Sequence, residues 1–163
     1  ENGKTIIVPG IFDARAFNWS RTEYMVLWLR LLSSRAKEIY LAPDWEFASG
    51  GAMEFVRGIM IQFRFACRDS PLSLLDVNGK VVSLTDGALA MAYAIRHLRI
   101  WGFPNPRLEA EFQTLVDLTY FLTQLARERP EQWEYHVYGT PSFSSTWIHS
   151  AAYSLGFRPR AFM

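Results

Sequence analysis

The sequence predicts an α/β domain, a mainly parallel sheet with helices on both faces, and three observations predict it. Short β-branched apolar runs alternate with longer helical patterns, Pro and Gly bound those runs, and hydroxyl- or Gly-containing loops fall where a strand gives way to a helix. A chain of 163 residues has the length of one domain and buries roughly 70% of the surface its unfolded form exposes. Half of the residues are hydrophobic and 15% are aromatic, so there is ample material for a core.

The elements follow in order. Thr5-Ile6-Ile7-Val8, stopped by Pro9-Gly10, reads as a buried strand of the parallel type. Ser20-x-x-Glu23 is a capping box and opens a helix over 21–35. A second strand, Glu38 to Pro43, leads through a turn at Gly50-Gly51 into a helix from about Ala52 to Phe65. Leu74 to Val77 and Lys80 to Leu84 flank Asn78-Gly79, which predicts a two-residue hairpin turn.

Thr85 or Asp86 caps the next helix, over about 87–100, and Gly102 with Pro104 ends it. Asn105-Pro106 starts another, on which Leu108, Phe112, Leu115, Val116, Leu118, Leu122 and Leu125 form a core or interface stripe until Pro130. Trp133 to Tyr138 alternates as a strand, and the loop Thr140 to Thr146 then opens a helix over about 146–155 closed by Gly156. The expected architecture is Rossmann-like or flavodoxin-like, one domain over 1–163 with a β-hairpin at about 74–84.

Composition excludes several classes. Seventeen Lys and Arg against sixteen Asp and Glu give a net charge of +1, so neither nucleic acid nor an anionic membrane is expected as a partner. The longest uncharged apolar runs, Tyr24 to Leu29 and Gly87 to Ile95, are far short of the roughly 18 residues of a membrane span. The first residues have no apolar h-region behind a basic start, so no signal peptide is expected. The single Cys67 rules out an intrachain disulfide and fits a cytoplasmic setting. His97, His136 and His149 lack ligand-like spacing, so no metal is expected, and no P-loop or nucleophile-elbow motif is present.

Ligands of parallel sheets bind outside the carboxyl ends of strands, which singles out the loops after Val8, Pro43 and Tyr138. The middle loop is the richest, running from Asp44 through Trp45, Glu46 and Ser49 to Gly50, Gly51 and Glu54. The glycines permit close backbone approach, and a helix N-terminus can hold an anion or a hydroxyl. Glu54, expected in the first helical turn, is a carboxylate able to act as a covalent nucleophile, held ionised by the helix dipole.

The stretch Tyr40-Leu41-Ala42-Pro43-Asp44-Trp45 through Gly50 to Glu54 resembles the nucleoside 2-deoxyribosyltransferase-like superfamily, over about residues 36–58 and more loosely over 5–60. The resemblance implies that Glu54 attacks the anomeric carbon of a nucleoside, releases the base and forms a glycosyl-enzyme intermediate that passes to another base or to water. It implies an oxocarbenium-like transition state, no cofactor, and a homo-oligomer that completes sites across subunits. Two departures stand out. Six positions before the nucleophile the family has Asp or Ser, whereas this chain has Ala48, so either Ser49 substitutes or the site is altered or inactive. The helix over 21–35 runs into Glu38-Ile39-Tyr40 as the family's second helix runs into its third strand. Thr5 to Val8 is then the second strand, and the family's first strand is either missing or replaced in role by Val8 to Phe12.

Asp44, Trp45, Ser49, Gly50 and Gly51 are therefore the candidate substrate-binding residues, with Asp44 or Ser49 for sugar hydroxyls and Trp45 for stacking on a base. Trp45 as an ordinary core residue and Glu46 as a surface charge are the bland alternatives. Ser142, Ser144, Ser145 and Thr146 beside a helix N-terminus suit a phosphate, with N-capping by Ser144 or Ser145 as the simpler role. Arg57, Arg64 and Arg68 either face that phosphate or only solvate. The expected activity is cleavage or exchange of the base of a nucleoside or nucleotide. The rivals are a nucleotide-binding or interaction module that has lost the chemistry, which Ala48 favours, and a subunit of a larger assembly, which the six tryptophans and the apolar helix around Tyr24 to Leu32 favour.

Overall fold

The structure is a computed structural model and describes residues 20–64, 72–128 and 145–160. The chain divides into two compact units, residues 1–36 and 37–163. In the first, α1 (Arg21–Arg35) starts at Ser20 with the expected capping box: the Ser20 hydroxyl accepts from the Glu23 amide while the Glu23 carboxylate accepts from the Ser20 amide at 2.8 Å. Among its described side chains, Trp28 and Leu32, four residues apart, are buried, whereas Val26 is half exposed.

The second unit holds β1 (Glu38–Tyr40), a 3₁₀ turn (Trp45–Phe47), α2 (Ser49–Arg64), β2 (Ser73–Leu75), α3 (Leu84–Ile100), α4 (Pro106–Glu128) and α5 (Ser145–Ser154). β1 and β2 pair in parallel with Ile39 opposite Leu74, so β1, α2 and β2 make one crossover unit. Among the described residues this pair is the whole sheet and helix predominates, so the expected parallel crossover is present once, while the larger Rossmann-like or flavodoxin-like sheet with helices on both faces is not shown. The candidate strands Thr5 to Val8 and Trp133 to Tyr138 lie outside the described residues, as does Cys67. Among the described residues no helix is long and apolar enough to cross a membrane.

The hairpin departs from expectation in length. Asp76 and Lys80 close a three-residue loop: the Gly79 amide donates to the Asp76 carbonyl at 3.0 Å, Gly79 takes a φ of 78°, and the Asp76 amide donates to the Lys80 carbonyl at 2.8 Å. That is a type I turn followed by a left-handed residue, not the two-residue turn expected at Asn78-Gly79. The Asp76 carboxylate explains the change, because one oxygen accepts from both the Asn78 and Lys80 amides at 2.8 Å. The return strand is a single bridge, Leu75 to Val81, and α3 begins at Leu84 where strand was expected. Ser83, rather than Thr85 or Asp86, caps α3 by accepting from the Asp86 amide.

The remaining helix ends are as expected. Asn105 caps α4 through its side chain, with Pro106 in the first position. Gly102 and Gly156, at φ 78° and 86°, end α3 and α5 in Schellman motifs, with Phe103 and Phe157 donating back to Leu98 and Ala152.

α4 packs against α2, α3 and α5. Its stripe of Leu108, Phe112, Leu115 and Val116 is fully buried and meets Phe55, Val56 and Ile59 of α2, Met91 and Ile95 of α3 and Ile148 of α5 in one core. Two glycines bring backbones close: a methyl at Gly58 would press on the Leu74 side chain, and one at Gly87 would overlap the Phe55 ring. Gly87→Ala is therefore expected to lower stability by about 1–3 kcal/mol from overpacking, outweighing the roughly 1 kcal/mol gain in helix propensity; urea unfolding measures it.

Candidate functional site

The loop from Asp44 to Ala48 leaves the carboxyl end of β1 and enters α2. Asp44 turns the chain: it adopts the left-handed conformation, φ 56°, and its carbonyl accepts from the Phe47 amide at 3.0 Å, closing the 3₁₀ turn. Trp45 drops into the core, its ring 4.7 Å from Phe55, while Asp44 stays exposed and Glu46 half-buried. The indole expected to stack on a base is thus packed on Phe55, the more ordinary role for a Trp.

No Gly-Gly turn precedes the helix. Gly50 and Gly51 are the second and third residues of α2, which starts at Ser49 with the Ala52 amide donating to Ala48 at 2.9 Å. Asp44 and the 3₁₀ turn make the reversal that the glycines were expected to make. Gly51 has a different task, since a Cβ there would lie 2.7 Å from the Trp45 carbonyl oxygen, whereas one at Gly50 would meet nothing within 4 Å. Ala48 has no side chain with which to cap the helix.

Glu54 is the sixth residue of α2, one turn deeper than expected, and half-buried. The first-turn dipole that was to hold it ionised therefore acts on it less, because the effect fades beyond the first turn. Asp44, Ser49 and Glu54 belong to the same segment at the carboxyl end of β1. Of the second candidate cluster, Ser142 and Ser144 lie outside the described residues, Ser145 is the first residue of α5, and Thr146 is exposed beside it.

Two groupings were not expected from the sequence. On α2, Arg57 stands three residues after Glu54, and Glu111 comes from α4 packed alongside; the Arg57 Nε and one Glu111 carboxylate oxygen are buried without hydrogen-bond partners. Burial raises the Glu111 carboxyl above its ordinary value, with the Arg57 charge pulling the other way. Of the other arginines considered, the side chain of Arg64 and all of Arg68 are outside the described residues.

The second grouping is aromatic. Phe47, from the 3₁₀ turn, lies 6.5 Å from Trp101 with planes 12° apart and 6.4 Å from Tyr93 with planes 85° apart. His97 completes the circuit, 3.9 Å from Tyr93 and 5.4 Å from Trp101. Tyr93 and Trp101 remain 57% and 59% exposed, so the circuit faces solvent. The signal available in the sequence was the spacing of four between Tyr93, His97 and Trp101. His149, on α5, is separate; burial lowers its imidazole below the usual value, and Tyr120 and Tyr153 are its ring neighbours. Among the described residues no group of His, Cys, Asp and Glu is arranged to hold a metal.

Two tests follow from this geometry. Gly50→Ala is expected to raise stability by about 0.4–1 kcal/mol, since nothing opposes the methyl, and Gly51→Ala to lower it, because the opposing atom is backbone and cannot turn aside; thermal unfolding of the two variants gives opposite signs. The second uses pH. A carboxyl held above its ordinary range in the folded state is protonated in both states at acid pH, and it costs stability as pH rises, because the unfolded chain ionises first. The stability of Glu111→Gln relative to wild type is therefore expected to increase between pH 4 and pH 7, as read by denaturant unfolding.

No protein-family model, curated protein or solved structure matches this chain.

Proposed function

We propose that the chain acts on the N-glycosidic bond of a nucleoside or nucleotide, cleaving it or exchanging the base, with Glu54 as nucleophile. The observation that carries this reading is the β1–α2–β2 crossover, in which the segment bearing Asp44, Ser49 and Glu54 follows the carboxyl end of a parallel strand. Ligands of α/β sheets bind there. The likeness of Tyr40 to Glu54 to the nucleoside 2-deoxyribosyltransferase-like superfamily supplies the chemistry.

In that chemistry a Glu54 oxygen forms a bond to the anomeric carbon as the carbon–nitrogen bond breaks, and the electron pair leaves with the base, which takes up a proton. Water, or the nitrogen of a second base, then displaces the carboxylate and restores the enzyme. In this reading the exposed Asp44 accepts from sugar hydroxyls, and Ser49 together with the backbone amides opening α2 donates to the same ligand. The other reading is a binding module without chemistry, and Ala48 favours it, because the start of α2 has no side-chain acceptor where the related pattern carries Asp or Ser.

Glu54→Ala is expected to cut base release by orders of magnitude while changing stability by about 1 kcal/mol or less, since a partly solvated carboxylate contributes little to folding. Chromatographic detection of free base from a panel of ribo- and deoxyribonucleosides and their monophosphates measures the first, and thermal unfolding the second. Equal rates in both proteins remove Glu54 from the mechanism. No release by wild type from any substrate leaves the binding-module reading.

A further inference from the structure

We infer that the circuit of Phe47, Tyr93, His97 and Trp101 is a base-stacking subsite that takes the flat heteroaromatic ring of a purine nucleotide. The inference rests on the reading of the Asp44 to Glu54 segment as the substrate site, because Phe47 belongs to that segment.

Single exposed aromatics are ordinary on a protein surface, but here Tyr93 and Trp101, both exposed, are linked in a chain of neighbouring rings through the half-buried Phe47 and His97. Tyr93 and His97 come from successive turns of α3, Trp101 is the C-cap residue that follows it, and Phe47 comes from the turn after β1, so the circuit joins the candidate loop to the end of a helix. Mutual packing restricts the rings before any ligand arrives, and a ligand that stacks on them loses little of its binding energy to ordering them. Phe47 and Trp101 have planes only 12° apart. A flat ligand parallel to one is therefore parallel to the other, and a bicyclic base overlaps more of the two rings than a pyrimidine does.

The polar groups at this place suit a nucleotide. The Tyr93 carbonyl can only accept, so the His97 Nδ1 at 3.0 Å donates to it. In the neutral imidazole Nε2 is then left as an acceptor, complementary to the exocyclic amine of a base. Asp44 and Glu46, on the same 3₁₀ turn as Phe47, are carboxylates of the kind that accept from ribose hydroxyls.

The test is binding of adenosine 5′-monophosphate and uridine 5′-monophosphate to the full chain, measured by equilibrium dialysis and by shifts of the Trp101 indole resonance. Wild type is expected to bind the adenosine nucleotide more tightly than the uridine nucleotide. Trp101→Ala and Tyr93→Ala, at exposed positions, are expected to weaken the adenosine nucleotide by roughly five- to a hundredfold, the range seen when a base loses an aromatic partner. Trp147→Ala, which removes a 66% exposed Trp from α5, is expected to leave binding unchanged. Circular dichroism checks that each variant folds, and Tyr93→Ala decides if Trp101→Ala does not.

The inference is overturned if neither nucleotide binds at millimolar concentration, or if the Trp101 and Trp147 variants behave alike. It is also overturned if Trp101→Ala abolishes self-association in sedimentation while nucleotides have no effect, which would make the circuit a contact between copies. Nucleotide binding without base release leaves the subsite standing and removes the glycosidic chemistry. Base release by Trp101→Ala with an unchanged KM does the reverse.

Discussion

Phe55 is the side chain on which the arrangement after β1 depends. Its fully buried ring meets Trp45 on one side and the backbone of α3 at Gly87 on the other. One residue of α2 thereby fixes both the 3₁₀ turn that precedes its helix and the helix that carries Tyr93 and His97 and ends at Trp101. Close packing of this kind transmits small displacements, because interiors have almost no slack. The spacing between the candidate loop and α3 is thus set from inside the core, and the Phe47 ring beside Tyr93 and Trp101 repeats it at the surface.

Polar residues tie the rest of the helical layer together. Arg99, near the end of α3, donates to Glu109 of α4 at 2.8 Å and to the Leu155 carbonyl that ends α5 at 2.7 Å, and its guanidinium lies over Phe157. One planar donor set thus joins three helices and satisfies a carbonyl that the end of α5 leaves over. Thr119, fully buried on the apolar face of α4, returns its hydroxyl to the Leu115 carbonyl and so needs no partner from a neighbouring helix.

What was legible in the sequence was local. The Ser20-Glu23 box, the Asn105-Pro106 start and the stops at Gly102 and Gly156 each depend on a few adjacent residues, and each is found where it was expected. The hairpin was located but mismeasured, because the Asp76 carboxylate competes for two amides and adds a residue to the loop. Gly50-Gly51 was misread for a tertiary reason: one glycine accommodates the Trp45 backbone, and no local rule distinguishes that from a turn. Asp44, Ser49 and Glu54 could be singled out because they share one segment. The aromatic circuit and the burial of Glu111 within the field of Arg57 could not, since each joins elements far apart in sequence.

The residues after α5 are electrostatically part of α4. Asp117, buried on that helix, accepts from Gln113, from the Arg160 amide and from the Arg160 guanidinium, the last at 3.0 Å. Gln113 in turn donates to the Arg158 carbonyl at 2.8 Å, so the tail is stitched to the helix at two points. A chain cut back to Phe157 would keep the described helices and yet leave the buried Asp117 carboxylate without the Arg160 amide and the largely exposed Arg160 guanidinium from which it accepts, and a buried carboxylate that loses its donors costs stability. Placing a domain boundary at the last helical residue would therefore put it inside the folded unit, several residues short of where the unit's own charges are balanced.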